Sequence, residues 1–168
     1  MGERLDIGGL SFARLPSKTL RSSDSILRQV KQVERRTFPP NEAFDFDNEL
    51  RKKTTNLHCA YRTVGGDVEL VAYALYVRSK FMTRIHKVCV VERYRNQGLG
   101  KWLMGLVLAE LTKGSATTID LWVDVNRKPA RELYLSCGFE EKELVPGYYS
   151  LERDGIRMEM DLDKCKRP

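Results

Sequence analysis

Apolar and polar residues recur along this chain with two periods, and the switches between them mark out its elements. Gly8 to Leu15, ending at Pro16, reads as a first, edge strand. Ser22-Ser23-Asp24 is a helix-start signal. Ile26, Leu27, Val30 and Val33 then share one helical face, and Pro39-Pro40 forces the helix to stop near Thr37. Phe44, Asp47 and Leu50 fall about a turn apart and predict a second helix from Phe44 to Thr54. Leu57–Thr63 and Val68–Val77 read as a hairpin around Gly65-Gly66-Asp67, with a third strand from about Phe81 to Val91. From Leu99 the pattern turns helical and almost wholly apolar: Trp102, Leu103, Met104, Leu106, Val107, Leu108 and Leu111 precede a glycine stop at Gly114. That helix should be buried on most sides. Thr117–Val125 is rich in β-branched residues and predicts a strand. Lys128–Cys137 predicts a helix closed by Gly138. Phe139–Val145 and Ile156–Leu162 form a last strand pair, joined by a loop containing Pro146, Gly147 and Asp154-Gly155.

The order is a strand, two helices, three antiparallel strands, a helix, a strand, a helix and two strands. It predicts an α/β fold with a mixed, mostly antiparallel sheet flanked by about four helices. With 168 residues, 42% hydrophobic and 31% charged, the chain suits a single domain over residues 1–168. No apolar run approaches a membrane span, and the N-terminal Met1–Leu10 lacks a signal-peptide core. Asp6 stands where N-myristoylation requires Ser or Thr after Met1-Gly2. Cys59, Cys89, Cys137 and Cys165 have no metal-type spacing. They read as reduced thiols, Cys89 as a small buried hydrophobe rather than a nucleophile, and no metal is expected.

The net charge of +6 favours anionic partners. Its clusters are short: Arg35-Arg36, Arg51-Lys52-Lys53 and Lys164 to Arg167. They read as solvated faces, not as a nucleic-acid surface.

One stretch carries a chemical signal. A β-branched strand (Ile85, Val88, Val90, Val91) runs into Arg95-Asn96-Gln97-Gly98-Leu99-Gly100 and then into the apolar helix. Unpaired N–H groups and partial positive charge at a helix start hold a phosphate where no side chain intrudes. A P-loop is excluded, because Arg95 and Trp102 stand where it needs Gly and Ser/Thr. A dinucleotide fingerprint fails at Leu103. What remains, Arg/Gln-x-x-Gly-x-Gly/Ala between a strand and a helix, resembles the coenzyme A pyrophosphate loop of GCN5-related N-acetyltransferases, the GNAT superfamily. The order of elements is similar to that family over nearly the whole chain, which implies the acyl-CoA N-acyltransferase fold.

The resemblance implies an enzyme that moves acetyl from acetyl-coenzyme A directly to a primary amine. The backbone of Gln97, Gly98, Leu99, Gly100 and Lys101 would hold the pyrophosphate, with Arg95 and Asn96 beside it. The pantetheine arm would pair like a strand with Val88, Cys89 and Val90, and an N–H near Val90 could hold a developing oxyanion. Tyr134 lies in Leu133-Tyr134-Leu135-Ser136-Cys137-Gly138-Phe139, which resembles the family's Leu-Tyr-x-x-x-Gly-Phe. It is the candidate proton donor to the departing thiolate. Asn126 matches a position that contacts the cofactor in the family, or else it caps the following helix.

Three residues compete for the base. His86 matches a catalytic His of serotonin N-acetyltransferases and titrates near neutrality. Asp124 lies near a Glu of ribosomal-protein N-terminal acetyltransferases. Glu42, in Phe38-Pro39-Pro40-Asn41-Glu42, sits in a loop resembling a substrate-side wall. His58 reads as structural.

Tyr148-Tyr149, Asp154 and Met158 resemble the Tyr-Tyr…Asp-Ala…Met ending of protein N-terminal acetyltransferases, whose tyrosines line the peptide groove. Gly155 replaces the Ala, read as a small change. His86 and the loop at Glu42 look more like enzymes of arylalkylamines or polyamines. The leading expectation is therefore a protein or peptide N-terminal amine, and the second a small amine. A reading of another class is a weakly catalytic coenzyme A-binding module in a larger complex. Partners beyond the amine acceptor would be a ribosome or an auxiliary subunit, with no specific nucleic acid and no membrane. The expected location is the cytoplasm, with the nucleus admitted.

Overall fold

The computed structural model describes residues 4–166. The Met1-Gly2 reading and Arg167 of the last basic cluster lie outside them. The elements are β1 (Ser11–Leu15), α1 (Ser23–Thr37), α2 (Phe46–Glu49), β2 (Thr55–Val64), β3 (Asp67–Arg78), β4 (Met82–Val90), α3 (Leu99–Thr112), β5 (Thr118–Asp124), α4 (Lys128–Ser136), β6 (Glu140–Ser150), β7 (Arg153–Asp161) and α5 (Leu162–Lys166). The seven strands form one sheet in the order β1-β2-β3-β4-β5-β7-β6. All neighbours are antiparallel except β4 and β5.

Helices cover both faces of the central strands, so β2 and β3 are almost continuously buried, as strands between two layers must be. Leu57, Cys59, Tyr73 and Leu75 pack toward α1, which presents Ile26, Val30 and Glu34 at successive four-residue steps. Ala60, Ala72, Ala74 and Tyr76 pack on the other side against Leu99, Leu103, Met104, Val107 and Leu111 of α3. That helix shows solvent only a narrow strip at Lys101, Gly105 and Ala109, close to the expected burial. Each fully buried Leu contributes about 2 kcal/mol by leaving water.

Three expectations are corrected. The helix expected from Phe44 to Thr54 is a single turn, Phe46–Glu49, capped by the Asp45 carboxylate on the Asn48 N–H. Its apolar residues are too few to bury a longer helix against the sheet. The first strand begins at Ser11, because Ile7–Gly9 forms a 3-10 turn capped by Asp6. The expected loop between the last strands is mostly strand: β6 runs on to Ser150 and β7 starts at Arg153. Register there jumps from Val145↔Gly155 to Ser150↔Arg153, so residues 146–149 arch out opposite Asp154 alone. Asp154 accepts the N–H of Gly147, which takes a left-handed φ of 66°, and so pins the arch.

Two further irregularities shape the site. Parallel pairing of β4 with β5 ends at Ile85↔Leu121, after which the strands part. At the same level His86 is an extra residue in β4, because Leu75 pairs Lys87 while Tyr76 pairs Ile85.

Candidate active site

The parting of β4 and β5 leaves one edge of β4 unsatisfied. Cys89 pairs Tyr73 in the ladder and the N–H of Val91 reaches Val71. By antiparallel alternation the peptide groups of Val88 and Val90 therefore point into the gap. The Val90 carbonyl is taken up by Arg95 Nε at 3.0 Å. The N–H groups of Val88 and Val90 are left facing the split, a strand edge that an extended amide-bearing arm can complete.

At the end of the gap the chain turns through two left-handed residues, Asn96 (φ 62°) and Gly98 (φ 76°), into α3. Gly98 is the N-cap and offers no side-chain bond. The first helical hydrogen bond runs from Trp102 N–H to the Gly98 carbonyl. The N–H groups of Leu99, Gly100 and Lys101 are thus the unpaired first turn. A Cβ on Gly98 would meet nothing within 4 Å, so the approach is open. Gly100 serves differently: its Cβ would lie 3.1 Å from Leu133 Cδ2, so it brings α3 against α4. An open cradle of helix-start amides, a lysine and a bare strand edge fits a pyrophosphate-bearing pantetheine ligand. Gln97 turns its side chain away, accepting the Leu5 N–H at 2.8 Å. The remaining expected cofactor residue, Asn126, is exposed. Its N–H donates to Asp124 Oδ1 at 2.9 Å, and the N-cap of α4 falls on Arg127, which makes no side-chain cap.

Beside the gap lies a cavity of about 670 Å³. Its wall gathers Glu42, His86, Val88, Asp124, Tyr134, Tyr148 and Tyr149, residues up to 107 positions apart in sequence. The cofactor loop, Cys89, Val90 and Asn126 are not among its lining residues.

Tyr134 is held there by the end of α4. Phe139 N–H bonds the Tyr134 carbonyl and Gly138 N–H bonds that of Leu135, with Gly138 at φ 102°. This glycine-closed terminus fixes the last turn. The Tyr134 ring meets Phe139 edge-on at 6.0 Å. Burial pushes its hydroxyl up to about 12, so it keeps its proton through the neutral range.

Glu42 and Asp124 share one cation. Arg153 gives Nη1 to Glu42 Oε1 at 2.5 Å and Nε to Asp124 Oδ2 at 2.8 Å, with its guanidinium 5.1 Å from the Tyr149 ring centre. Asp124, only 5% exposed, spends both oxygens, since Oδ1 accepts from Asn126. Lys87 completes the frame. It donates to the Glu42 carbonyl at 2.9 Å, lies 3.2 Å from buried Glu34 and sits over Phe38.

His86 projects from the bulge at the cavity mouth, 5.9 Å from Phe44. Its ring is open to water, yet the protein around it, with Arg84 and Lys87, holds its pKa below the usual 6.5. His58, by contrast, is buried against Phe12, with Nε2 3.0 Å from the Tyr76 hydroxyl. Burial drops it to about 4.

Tyr148 lies flat on Trp122, centroids 4.0 Å apart and planes at 8°. Gly155 makes this possible, because a Cβ there would sit 2.8 Å from three Tyr148 atoms. The glycine-for-alanine exchange is therefore not the small change expected. Arg153, Lys87 and Trp122 were missed as site residues. Only Trp122 left a trace, as the centre of the alternating face Asp120, Trp122, Asp124. Among the described residues no group of His, Cys, Asp and Glu is placed to hold a metal, and no helix is long and apolar enough to cross a membrane.

The model of the acetyltransferase (GNAT) family matches residues 27–139. An uncharacterized N-acetyltransferase of Methanocaldococcus jannaschii is 33% identical over 72 residues, which is 43% of this chain and 32% of that protein. The aligned stretch thus spans about a third of the relative's length. Among solved structures, the Escherichia coli ribosomal-protein-S18-alanine N-acetyltransferase superposes with a TM-score of 0.73 at 22% identity, covering 91% of this chain and 94% of that one. Arabidopsis thaliana NAA60 in complex with acetyl-CoA gives 0.75 at 19%, covering 92% and 99%. Vibrio cholerae spermidine N-acetyltransferase in complex with CoA and spermine gives 0.73 at 16%, covering 94% and 98%. At these identities the likeness is one of fold.

Proposed function

The chain belongs to the GNAT acetyltransferase family, and from that premise we propose that it transfers acetyl from acetyl-coenzyme A directly to the N-terminal amine of a protein or peptide. Acetyl-coenzyme A, the cosubstrate bound in a fold neighbour, supplies an acetyl group activated as a thioester. The amides of Leu99, Gly100 and Lys101 bind its pyrophosphate, and the Val88–Val90 edge aligns the arm. The Val90 N–H donates to a carbonyl oxygen lodged in the gap. Tyr134 gives its proton to the sulfur as it departs. Glu42 uses only Oε1 for Arg153, so its other oxygen takes the amine's proton, directly or through water. His86 at the mouth is the competing base. Tyr148 and Tyr149 flank the path of the acceptor.

The observation that carries the peptide reading is that three of the four carboxylates lining the cavity already hold a cation. Glu42 and Asp124 hold Arg153 and Glu49 holds Lys52 at 2.6 Å, which leaves the exposed Asp45, bonded to the neutral Asn48 amide, as the one lining acid without a cation. A polycationic amine needs unpaired acids along its length, whereas a peptide brings one ammonium and a polar backbone. The fold neighbour that acts on a ribosomal-protein alanine is consistent with this, as is a cytoplasmic setting and a ribosome-associated substrate. A second reading, an arylalkylamine acceptor, draws on the aromatic wall of Phe38, Phe44, Trp122 and Tyr148.

The test is thiol release from acetyl-coenzyme A with peptides bearing a free N-terminus, lysine peptides blocked at the N-terminus, spermidine and an arylethylamine. Turnover with the free N-termini at a kcat/KM at least tenfold above the others is expected. Turnover confined to small amines overturns the reading, and binding without any turnover returns the protein to a coenzyme A-binding module.

A further inference from the structure

We infer that Arg153 is a specificity-determining residue, a built-in counter-cation that keeps di- and polycationic amines out of the acceptor cavity; the inference rests on the peptide-amine reading above. The guanidinium bridges two carboxylates brought together from distant parts of the chain, Glu42 before α2 and Asp124 at the end of β5. Its own side chain is 31% exposed, so its charge stands at the cavity wall rather than beneath it. Tyr149 backs the guanidinium on one side. The backbone around it is tied across the cavity, with Asn41 Nδ2 3.5 Å from the Tyr149 carbonyl.

The charges lining the cavity make Arg153 decisive. Glu42, Asp45, Glu49 and Asp124 are matched in number by Arg84, Lys87, Arg127 and Arg153. None of the other three cations is paired with either carboxylate. Arg84 is locked on Asp120 by bonds of 2.9 and 2.7 Å. Lys87 is committed to Glu34 and the Glu42 carbonyl. Arg127 lies over Phe38, 5.4 Å from its ring centre. With Arg153 in place, the two carboxylates that stand together at the cavity wall, Glu42 and Asp124, are covered, and a second positive charge brought to them meets a like charge. Without it, Glu42 and Asp124 stand uncovered at a separation that one cation can bridge, and the lining becomes net acidic. An acceptor with a single ammonium is admitted in either case. Arg153 therefore discriminates by repulsion, a way to gain specificity without a new attractive contact.

The experiment is calorimetric titration of spermidine into the protein saturated with coenzyme A, at low ionic strength, for wild type, Arg153→Gln and Arg153→Lys. Peptide acetylation is measured in parallel. Arg153→Gln is expected to bind spermidine at least tenfold more tightly than wild type, with the gain fading as salt rises. Arg153→Lys keeps the charge but not the fork that spans both carboxylates, and is expected to fall between wild type and Arg153→Gln. The double variant Asp124→Asn/Arg153→Gln removes the charge of Asp124, the more deeply buried of the two carboxylates, guarding against misfolding of the single variant. Its uncovered Glu42 is expected to tighten spermidine about threefold. An unchanged spermidine affinity in both Gln-bearing variants overturns the inference, as does Arg153→Lys binding like Arg153→Gln. Failure of the peptide reading shows elsewhere, as wild-type protein that leaves peptide N-termini unmodified.

Discussion

The loop from Arg95 to Lys101 and the cavity lined by Tyr148 are built from different materials. The loop presents backbone: left-handed turns at Asn96 and Gly98, three unpaired helix-start amides, and a strand edge bared where β4 leaves β5. The cavity presents side chains: Arg153 between Glu42 and Asp124, Tyr148 stacked on Trp122, and Lys87 donating to the Glu42 carbonyl. A backbone site is specified by a few consecutive residues and suits a group common to every turnover. A side-chain site is assembled from distant segments, so its charge and shape can be reset by single substitutions while the scaffold stays put.

The difference can be pressed hardest at Gly98. Glutamate there puts a negative charge and a side chain into the open approach and a Cβ at φ 76°. Acetyl-coenzyme A affinity is expected to fall about 100-fold or more, while the Trp122–Tyr148 stack, read by near-ultraviolet circular dichroism, is unchanged. Tyr134 stands where the two regions meet. Its replacement by Phe is expected to lower kcat about 100-fold with the KM for acetyl-coenzyme A nearly constant. Because burial pushes its hydroxyl up to about 12, any loss of activity between neutral and mildly alkaline pH belongs to another group.

Gly155→Ala acts on the cavity alone. Its Cβ would collide with Tyr148 at 2.8 Å and lift the ring from Trp122. Such overpacking costs about 1–3 kcal/mol, so the acceptor KM is expected to rise roughly tenfold with cofactor binding intact.

The smallest expected effect is on pH dependence. His86 has its pKa depressed in the folded protein, so any stability it contributes is present above 6.5 and lost as pH falls through the lower folded value. If it also took the amine's proton, kcat/KM would fall along the same limb. With Glu42 as acceptor, His86→Gln is expected to change kcat/KM less than about threefold and leave the acid limb in place. Disappearance of that limb would hand the role to His86.

These regions were unequally legible in the sequence. Gly98, the apolar run after it and the glycine after Cys137 announced themselves locally, because dihedral freedom and helix ends are properties of neighbouring residues. The split between β4 and β5 was harder to read, since strand pairing length depends on what packs above it. Tyr148-Tyr149 stood out as a motif, but not the arch that holds them, which needs residues 146–149 set against Asp154 alone. Arg153 gave no signal. Its meaning comes from a partner 111 residues away, and an arginine beside Asp154 is ordinary in a surface turn. The helix expected after Phe44 failed for a related reason: its periodicity was real but too short to find a surface to cover.

The central claim is transfer to a peptide N-terminus in a cavity already neutralised by Arg153. It is tested most directly in one mixture, in which a lysine-containing peptide with a free N-terminus competes with spermidine for limiting acetyl-coenzyme A. Mass spectrometry then locates the acetyl group. The account predicts acetyl on the peptide's α-amine in at least tenfold excess over the lysine and spermidine. Acetyl found mainly on spermidine or on the lysine side chain would contradict it.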